Sequence, residues 1–418
     1  MSTFNWISKL SQESTTTTWV ILRYSQDIEN DAPFSHIHGG IRSLNSWWGP
    51  PWIWEEHGFE CRKRCNIHGL IYIYIYSPWI KEAFVIAHSS LKQLFIKGAL
   101  NFFRSFKPSR MDSTPTEVVV FEFGPYFRAY KNGRVERFFG TDKVPSSNNS
   151  DHAVSSKDVL IDQETGLSAR IFIPSTIKPG KKLPLLVYYH GGAFLVGSPF
   201  CPTYHNYMTS LVAEANIITV SVDYRLAPEH HIPIAYEDSW AALQWVAKHH
   251  NNEGPEDWLS DHADFQRVFL AGDSAGGNIV YNMVARAGIE DLAGMKILGA
   301  CLVHTYFGRK DCEVDNYWLF VCPNTSGIND PRINPAMDSR LSSLGCTRVL
   351  ICVAEKDVLK ERGLLFCETL RKSGWDGEVQ IVETEGEEHV FHLFNPDCEK
   401  AVILLKRLAS FFNQDRAN

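Results

Sequence analysis

From residue 158 onward the chain alternates short apolar runs with amphipathic stretches. The runs 158–162 (DVLID) and 168–173 (SARIFI), with Glu164-Thr165-Gly166 between them, read as two strands joined by a turn. Continuous apolar runs recur at 183–189, 216–222, 267–272, 296–303, 348–354 and 378–384, the pattern of strands buried on both faces. Helical periodicity fills the gaps at 203–214, 235–249, 276–287, 359–373 and 399–413. Alternating strands and helices predict the α/β class, with a mostly parallel central sheet covered by helices on both faces. In such sheets function collects at the carboxyl ends of the strands.

Residues 1–110 break this pattern. Seven of the twelve tryptophans lie there, among turn residues and charges with no sustained period. The alternation in IYIYIY (71–76) leaves neither face polar, and it is what a simple AT repeat would encode. The expectation is an atypical extension, disordered or translated from non-coding sequence, with Met111 opening the domain 111–418. His57, Cys61, Cys65 and His68 have zinc-ligand chemistry, but no turn or hairpin pattern frames their close spacing. The stretch 81–107 has the make-up of a basic amphipathic helix that nothing tethers to the rest. Asp27, Glu29, Asp31, Glu55 and Glu56 argue against a transit peptide, and the first dozen residues do not form a secretory signal.

Composition narrows the function. A net charge of −7 over 418 residues argues against nucleic acid or an anionic membrane as the main partner. No apolar run reaches the roughly 18 residues of a spanning helix. The ten cysteines, scattered from Cys61 to Cys398, read as reduced thiols in a reducing compartment, by default the cytoplasm.

The chemistry sits at the predicted strand ends. Gly272-Asp273-Ser274-Ala275-Gly276 has the form G-x-S-x-G between a strand and a helix, so Ser274 would stand on a sharp turn as a nucleophile. No G-x-x-x-x-G-K-[ST] occurs, which disfavours a nucleotide loop. His190-Gly191-Gly192-Ala193-Phe194 follows an earlier strand. The N–H groups of Gly191, Gly192 and Ala275 are candidate oxyanion donors, each worth roughly 3–4 kcal/mol of barrier. Asp357 follows the strand at 348–354 and is placed to orient a histidine, or to cap a helix. His389 and His392 both follow the last strand; His389, nearer the strand end, is the favoured base. The order Ser, Asp, His is that of α/β hydrolases.

HGGAF (190–194), DYRLAPEHHIP (223–233), GDSAGGN (272–278), AEKDVLKERG (354–363) and EGEEHVFHLF (385–394) resemble the plant carboxylesterase family, within the hormone-sensitive-lipase-like α/β hydrolases. The resemblance covers about 111–415. It implies Ser274 as nucleophile, His389 as base, Asp357 as its orienter, and Gly191, Gly192 and Ala275 as oxyanion donors. It implies a small, largely apolar ester as substrate, no cofactor and no metal. It also implies an N-terminal helical lid around 117–130 (EVVVFEFGPYFRAY). The segment near 308–316 is about a dozen residues shorter than the family pattern, which would thin the cover of the site. Arg225 and Glu229 are read as structural, and Trp240 and Trp245 as core. Two other functions occur among similar proteins. Hydroxyisoflavanone dehydratases run different chemistry on the same frame, and gibberellin receptors lack the histidine that His389 provides. Oligomeric state is not legible from the chain.

Overall fold

The computed structural model describes residues 118–147, 153–178, 180–308 and 315–414, and the backbone of three strands before them. The chain divides into two units, Met1–Thr114 and Pro115–Asn418. In the first, β1 (Thr3–Lys9), β2 (Trp19–Ser25) and β3 (Ile71–Ile75) form an antiparallel sheet in that order. His57, Cys61, Cys65, His68 and the stretch 81–107 lie outside the described residues.

The second unit opens with an antiparallel meander of β4 (Val119–Phe123), β5 (Phe127–Tyr130) and β6 (Val135–Arg137). This corrects the helical lid expected around 117–130. Val118, Val119 and Val120 are β-branched and favour extended backbone. Asn132-Gly133 then makes the tight turn, with Gly133 at φ 86° and its N–H donating to the Tyr130 carbonyl.

The main sheet has eight strands. They are β7 (Val154–Leu160), β8 (Ser168–Pro174), β9 (Leu183–Tyr189), β10 (Ile218–Asp223), β11 (Ala263–Asp273), β12 (Ile297–Val303), β13 (Arg348–Ala354) and β14 (Glu378–Thr384), in the spatial order β14-β13-β12-β11-β9-β10-β8-β7. β7 and β8 pair antiparallel, as do β8 and β10; every other neighbouring pair is parallel.

The long helices are α1 (Pro202–Ala215), α2 (Ile234–Lys248), α4 (Ala275–Ala287), α6 (Lys360–Lys372) and α8 (Glu399–Phe412); α3 (Asp257–His262), α5 (Asn316–Val321) and α7 (Phe391–Phe394) are short. Successive strand residues face opposite ways. In β9, Leu185 and Val187 join the core under α2, α4 and α6, while Leu186 and Tyr188 join the core under α1 and α8. Both faces are buried, which is why the strands read as unbroken apolar runs. Trp240 and Trp245 are buried, as expected. Arg225 pairs with Asp238, and Glu229 with Arg137.

Candidate active site

β11 ends at Asp273 and α4 begins at Ala275, so Ser274 alone makes the turn, at φ 52° and ψ −114°. A non-glycine residue in that region costs of order 1–3 kcal/mol and persists only where its surroundings enforce it. Here the Ser274 N–H donates to the Val303 carbonyl at 2.9 Å, and the Tyr306 N–H donates to the Ser274 carbonyl at 3.0 Å. Gly276 makes the close approach possible: a Cβ there would run into the carbonyl oxygens of Tyr189 and His190.

Two loops bring the partners. Asp357 follows β13, and His389 lies between β14 and α7. His389 Nδ1–H donates to Asp357 Oδ2 at 2.8 Å, and His389 Nε2 lies 3.0 Å from Ser274 Oγ, placed to accept its proton. The Leu359 N–H donates to Asp357 Oδ1 at 2.8 Å, so both carboxylate oxygens are engaged. Burial opposes charge on Asp357, but the hydrogen bonds from His389 and Leu359 prevail and hold its carboxyl below the usual range. Asp357 does not cap α6, whose N-cap is Leu359. His392, the other candidate base, is 2% exposed and stands edge-on to Tyr207; burial pushes it down to about 3.

The glycine loop carries a correction. The Gly191 N–H points inward, donating to Tyr204 Oη at 2.8 Å and to Asp273 Oδ1 at 3.1 Å. It has no hydrogen left for a substrate oxygen. The loop then coils through left-handed conformations at Gly192 (φ 98°), Ala193 (φ 61°) and Phe194 (φ 59°). Among the described residues, the N–H groups of Gly192, Ala193 and Ala275 have no acceptor. The free donors are therefore shifted one residue along the loop, and Ala193 joins the candidates. Sequence reasoning missed it because HGGAF does not reveal which N–H the fold consumes. Asp273, unremarked in the sequence, is what fixes the loop: it also accepts from Tyr188 Oη at 2.6 Å and Tyr204 Oη at 2.9 Å. Burial pushes its carboxyl above the usual range despite these donors.

An aromatic cluster adjoins the serine turn through Tyr306. Tyr306, bonded to the Ser274 carbonyl, meets Tyr317 edge-on at 5.0 Å. Phe320, on the same helix α5 as Tyr317, stacks on Phe121 of the meander at 3.9 Å. Arg137 ties the meander to the glycine loop through the Leu195 carbonyl at 2.7 Å. Of the segment near 308–316, expected to be short, residues 309–314 lie outside the described residues.

Among the described residues, one group has metal-ligand chemistry: His304, Asp357 and His389 offer atoms within 4.8 Å of one another. Two of these three already bond each other, and His389 also bonds Ser274.

A serine on a strand-to-helix turn, served by a histidine and an acid from later strand ends of a mostly parallel eight-stranded sheet, defines an α/β hydrolase. The model of an α/β-hydrolase-fold family matches residues 186–393. A protein of Arabidopsis thaliana named Probable carboxylesterase 5 is 46% identical over 313 residues, covering 70% of this chain and 98% of that protein. A 2-hydroxyisoflavanone dehydratase of Glycine max is 42% identical over 313 residues, covering 70% of this chain and 98% of that protein. The crystal structure of a thermostable esterase from Pseudomonas putida shares the fold, with a TM-score of 0.52 at 24% identity over 65% of this chain and 86% of that one. The chain belongs to the plant carboxylesterase family of α/β hydrolases.

Proposed function

We infer that the protein is a serine carboxylesterase acting on small, largely apolar esters. The observation that carries this reading is the continuous hydrogen-bonded chain from Ser274 Oγ through His389 to the buried Asp357, at 3.0 and 2.8 Å. His389 Nε2 takes the proton as Ser274 Oγ attacks the ester carbonyl. Asp357 holds the imidazole in the required tautomer and stabilises the imidazolium. The N–H groups of Gly192, Ala193 and Ala275 receive the oxyanion. The C–O bond of the ester then breaks, and the alcohol leaves with the proton from His389. Water, deprotonated by the same ring, attacks the acyl-serine, and the acid departs as Ser274 regains its proton. No cofactor enters these steps.

The aromatic cluster next to the serine turn supports an apolar substrate, and the meander is read as the lid over it. Residues 111–418 are proposed as the hydrolase domain, and 1–110 as an extension outside the chemistry. All seven described cysteines are free, which supports a reducing compartment, and we propose the cytoplasm. No helix among the described residues is long and apolar enough to cross a membrane. One Arabidopsis relative is named as mitochondrial.

The test is labelling with a fluorophosphonate, followed by mass mapping. The expected tag is on Ser274, with p-nitrophenyl acetate hydrolysis lost in proportion. An enzyme that hydrolyses the ester but carries no tag on Ser274 would refute the mechanism. Dehydration, the chemistry named for the soybean relative, releases water and forms no carboxylic acid, so titrating the acid product separates the two.

A further inference from the structure

β12 ends beside the nucleophile turn, and the next residue is His304. Its ring is 1% exposed, and no step above uses it. His304 Nδ1 lies 2.9 Å from the backbone nitrogen of Val390, the residue immediately after the base. A backbone N–H only donates, so Nδ1 holds the lone pair and the proton of the neutral ring sits on Nε2. Val390 has φ 46° and ψ 33°. A β-branched residue in the left-handed region is a genuine outlier and needs something to hold it there. His304 is itself left-handed, at φ 48°, and its own N–H is held by the Cys352 carbonyl at 2.9 Å. A residue anchored to β13 thus grips the strained Val390 at the end of the His389 loop.

The rings of His304 and His389 are 5.9 Å apart, and one nitrogen of each lies within 4.8 Å of the other and of an Asp357 oxygen. A metal would need lone pairs that are already engaged. Nδ1 of His304 serves Val390, and both nitrogens of His389 serve Asp357 and Ser274. Nε2 of His304 has no partner among the described residues, but in this tautomer it carries a hydrogen. Burial, with His392 and His389 nearby, keeps His304 well below the usual histidine range and hence neutral.

We propose that His304 is a positioning residue for ester hydrolysis: its Nδ1 lone pair anchors the Val390 N–H and so holds the His389 imidazole within reach of both Ser274 and Asp357. The proposal rests on the hydrolytic reading. Loss of the anchor lets the loop relax, and a displacement of about 1 Å in a reacting group costs on the order of 100-fold in rate.

The experiment compares three variants of the full chain in p-nitrophenyl acetate hydrolysis, with thermal unfolding as a check on folding. His304→Asn puts an amide oxygen close to where Nδ1 stood. His304→Gln places its polar group further out, near Nε2, and His304→Leu has no acceptor. The expected result is a kcat lowered roughly 30- to 100-fold in Gln and Leu with KM within about twofold, and an Asn variant restored to within about fivefold of wild type. If Leu does not fold, the Asn and Gln contrast decides. A folded Gln or Leu variant with kcat within about threefold of wild type overturns the proposal, as do equal losses in Asn and Gln. Ser274→Ala is run alongside. Turnover surviving in that variant refutes the hydrolytic mechanism itself, whereas its loss combined with a silent His304 refutes only the positioning role.

Discussion

The two rims of the main sheet treat backbone strain differently. Among the described residues, the non-glycine positions with positive φ on the carboxyl-end rim are Ala193, Phe194, Ser274, His304 and Val390. Each follows the end of a strand and borders the proposed chemistry. On the amino-end rim they are Asn216, Asn252 and Ala293. Two of those three are asparagine, whose short polar side chain tolerates the left-handed region. One rim meets an unusual backbone demand with a residue suited to it. The other imposes the demand on Ser and Val, which are ill suited, and enforces it with hydrogen bonds. Strain that a substitution could relieve, yet is held in place, is a marker of function.

The sharpest way to break this comparison is Ser274→Gly. Glycine accepts φ 52° without penalty, so the melting temperature should not fall, while kcat for p-nitrophenyl acetate should drop by roughly 10⁵-fold or more. A variant that loses activity only because it unfolds would show that the turn serves stability rather than catalysis.

Asp357→Asn comes next. The amide presents the wrong hydrogen-bonding group to His389 Nδ1, and kcat should fall by about 10⁴-fold. Its stability effect has a definite sign. The folded carboxyl is held below its usual 3.8, so the stabilisation is complete above that pH and is lost as pH falls through the folded value. The difference in melting temperature between wild type and Asp357→Asn should therefore be largest near neutrality and shrink as pH falls below the ordinary carboxylate range and through the folded value. A gap that widens on acidification would mean that Asp357 is not held as a charged group.

The body of the fold was legible because strands buried on both faces must be apolar throughout, and the helices between them must not be. Ser274, Asp357 and His389 were legible as one candidate set because they sit at strand ends in that order, and hydrogen bonds join Ser274 to His389 and His389 to Asp357. What stayed hidden depended on contacts distant in sequence. Gly191 looks as free as Gly192 until Asp273, 82 residues away, takes its N–H. His304 looks like any core histidine until Val390, 86 residues away, donates to it. The meander differs for another reason: the resemblance implies a helical lid, whereas Asn132-Gly133 and the valine run favour a hairpin, and the local signals prevail.

A paired substitution sharpens the comparison between the rims. A Cβ on Gly276 meets the backbone carbonyl of Tyr189 at the catalytic rim, and a Cβ on Gly288, at the far end of the same helix, meets that of Ser343. Neither backbone can yield cheaply, so Gly276→Ala and Gly288→Ala should each cost about 2–4 kcal/mol in chemical unfolding. Only Gly276→Ala shifts the serine turn. The folded fraction of that variant should lose about 100-fold in kcat, and Gly288→Ala less than about threefold. Equal losses would mean that the rims are mechanically coupled and that strain is not confined to one of them.

The smallest effect is expected at Phe320 of α5, which packs on the meander proposed as the lid. Phe320 stacks on Phe121 with rings nearly parallel, 3° apart, and meets Phe127 edge-on at 6.1 Å. It is only partly buried, so its removal does not empty the core. On the reading of α5 and the meander as cover for the substrate, Phe320→Ala removes apolar contact that substrate and transition state would share alike, which raises KM and leaves kcat nearly unchanged. The expected rise is about 3- to 10-fold for an ester with a bulky acyl chain and less than about twofold for an acetate, because a small acyl group reaches less of the wall. A fall in kcat with constant KM would instead tie α5 to the serine turn through Tyr306, and would move this part of the lid from enclosing the substrate to positioning the nucleophile.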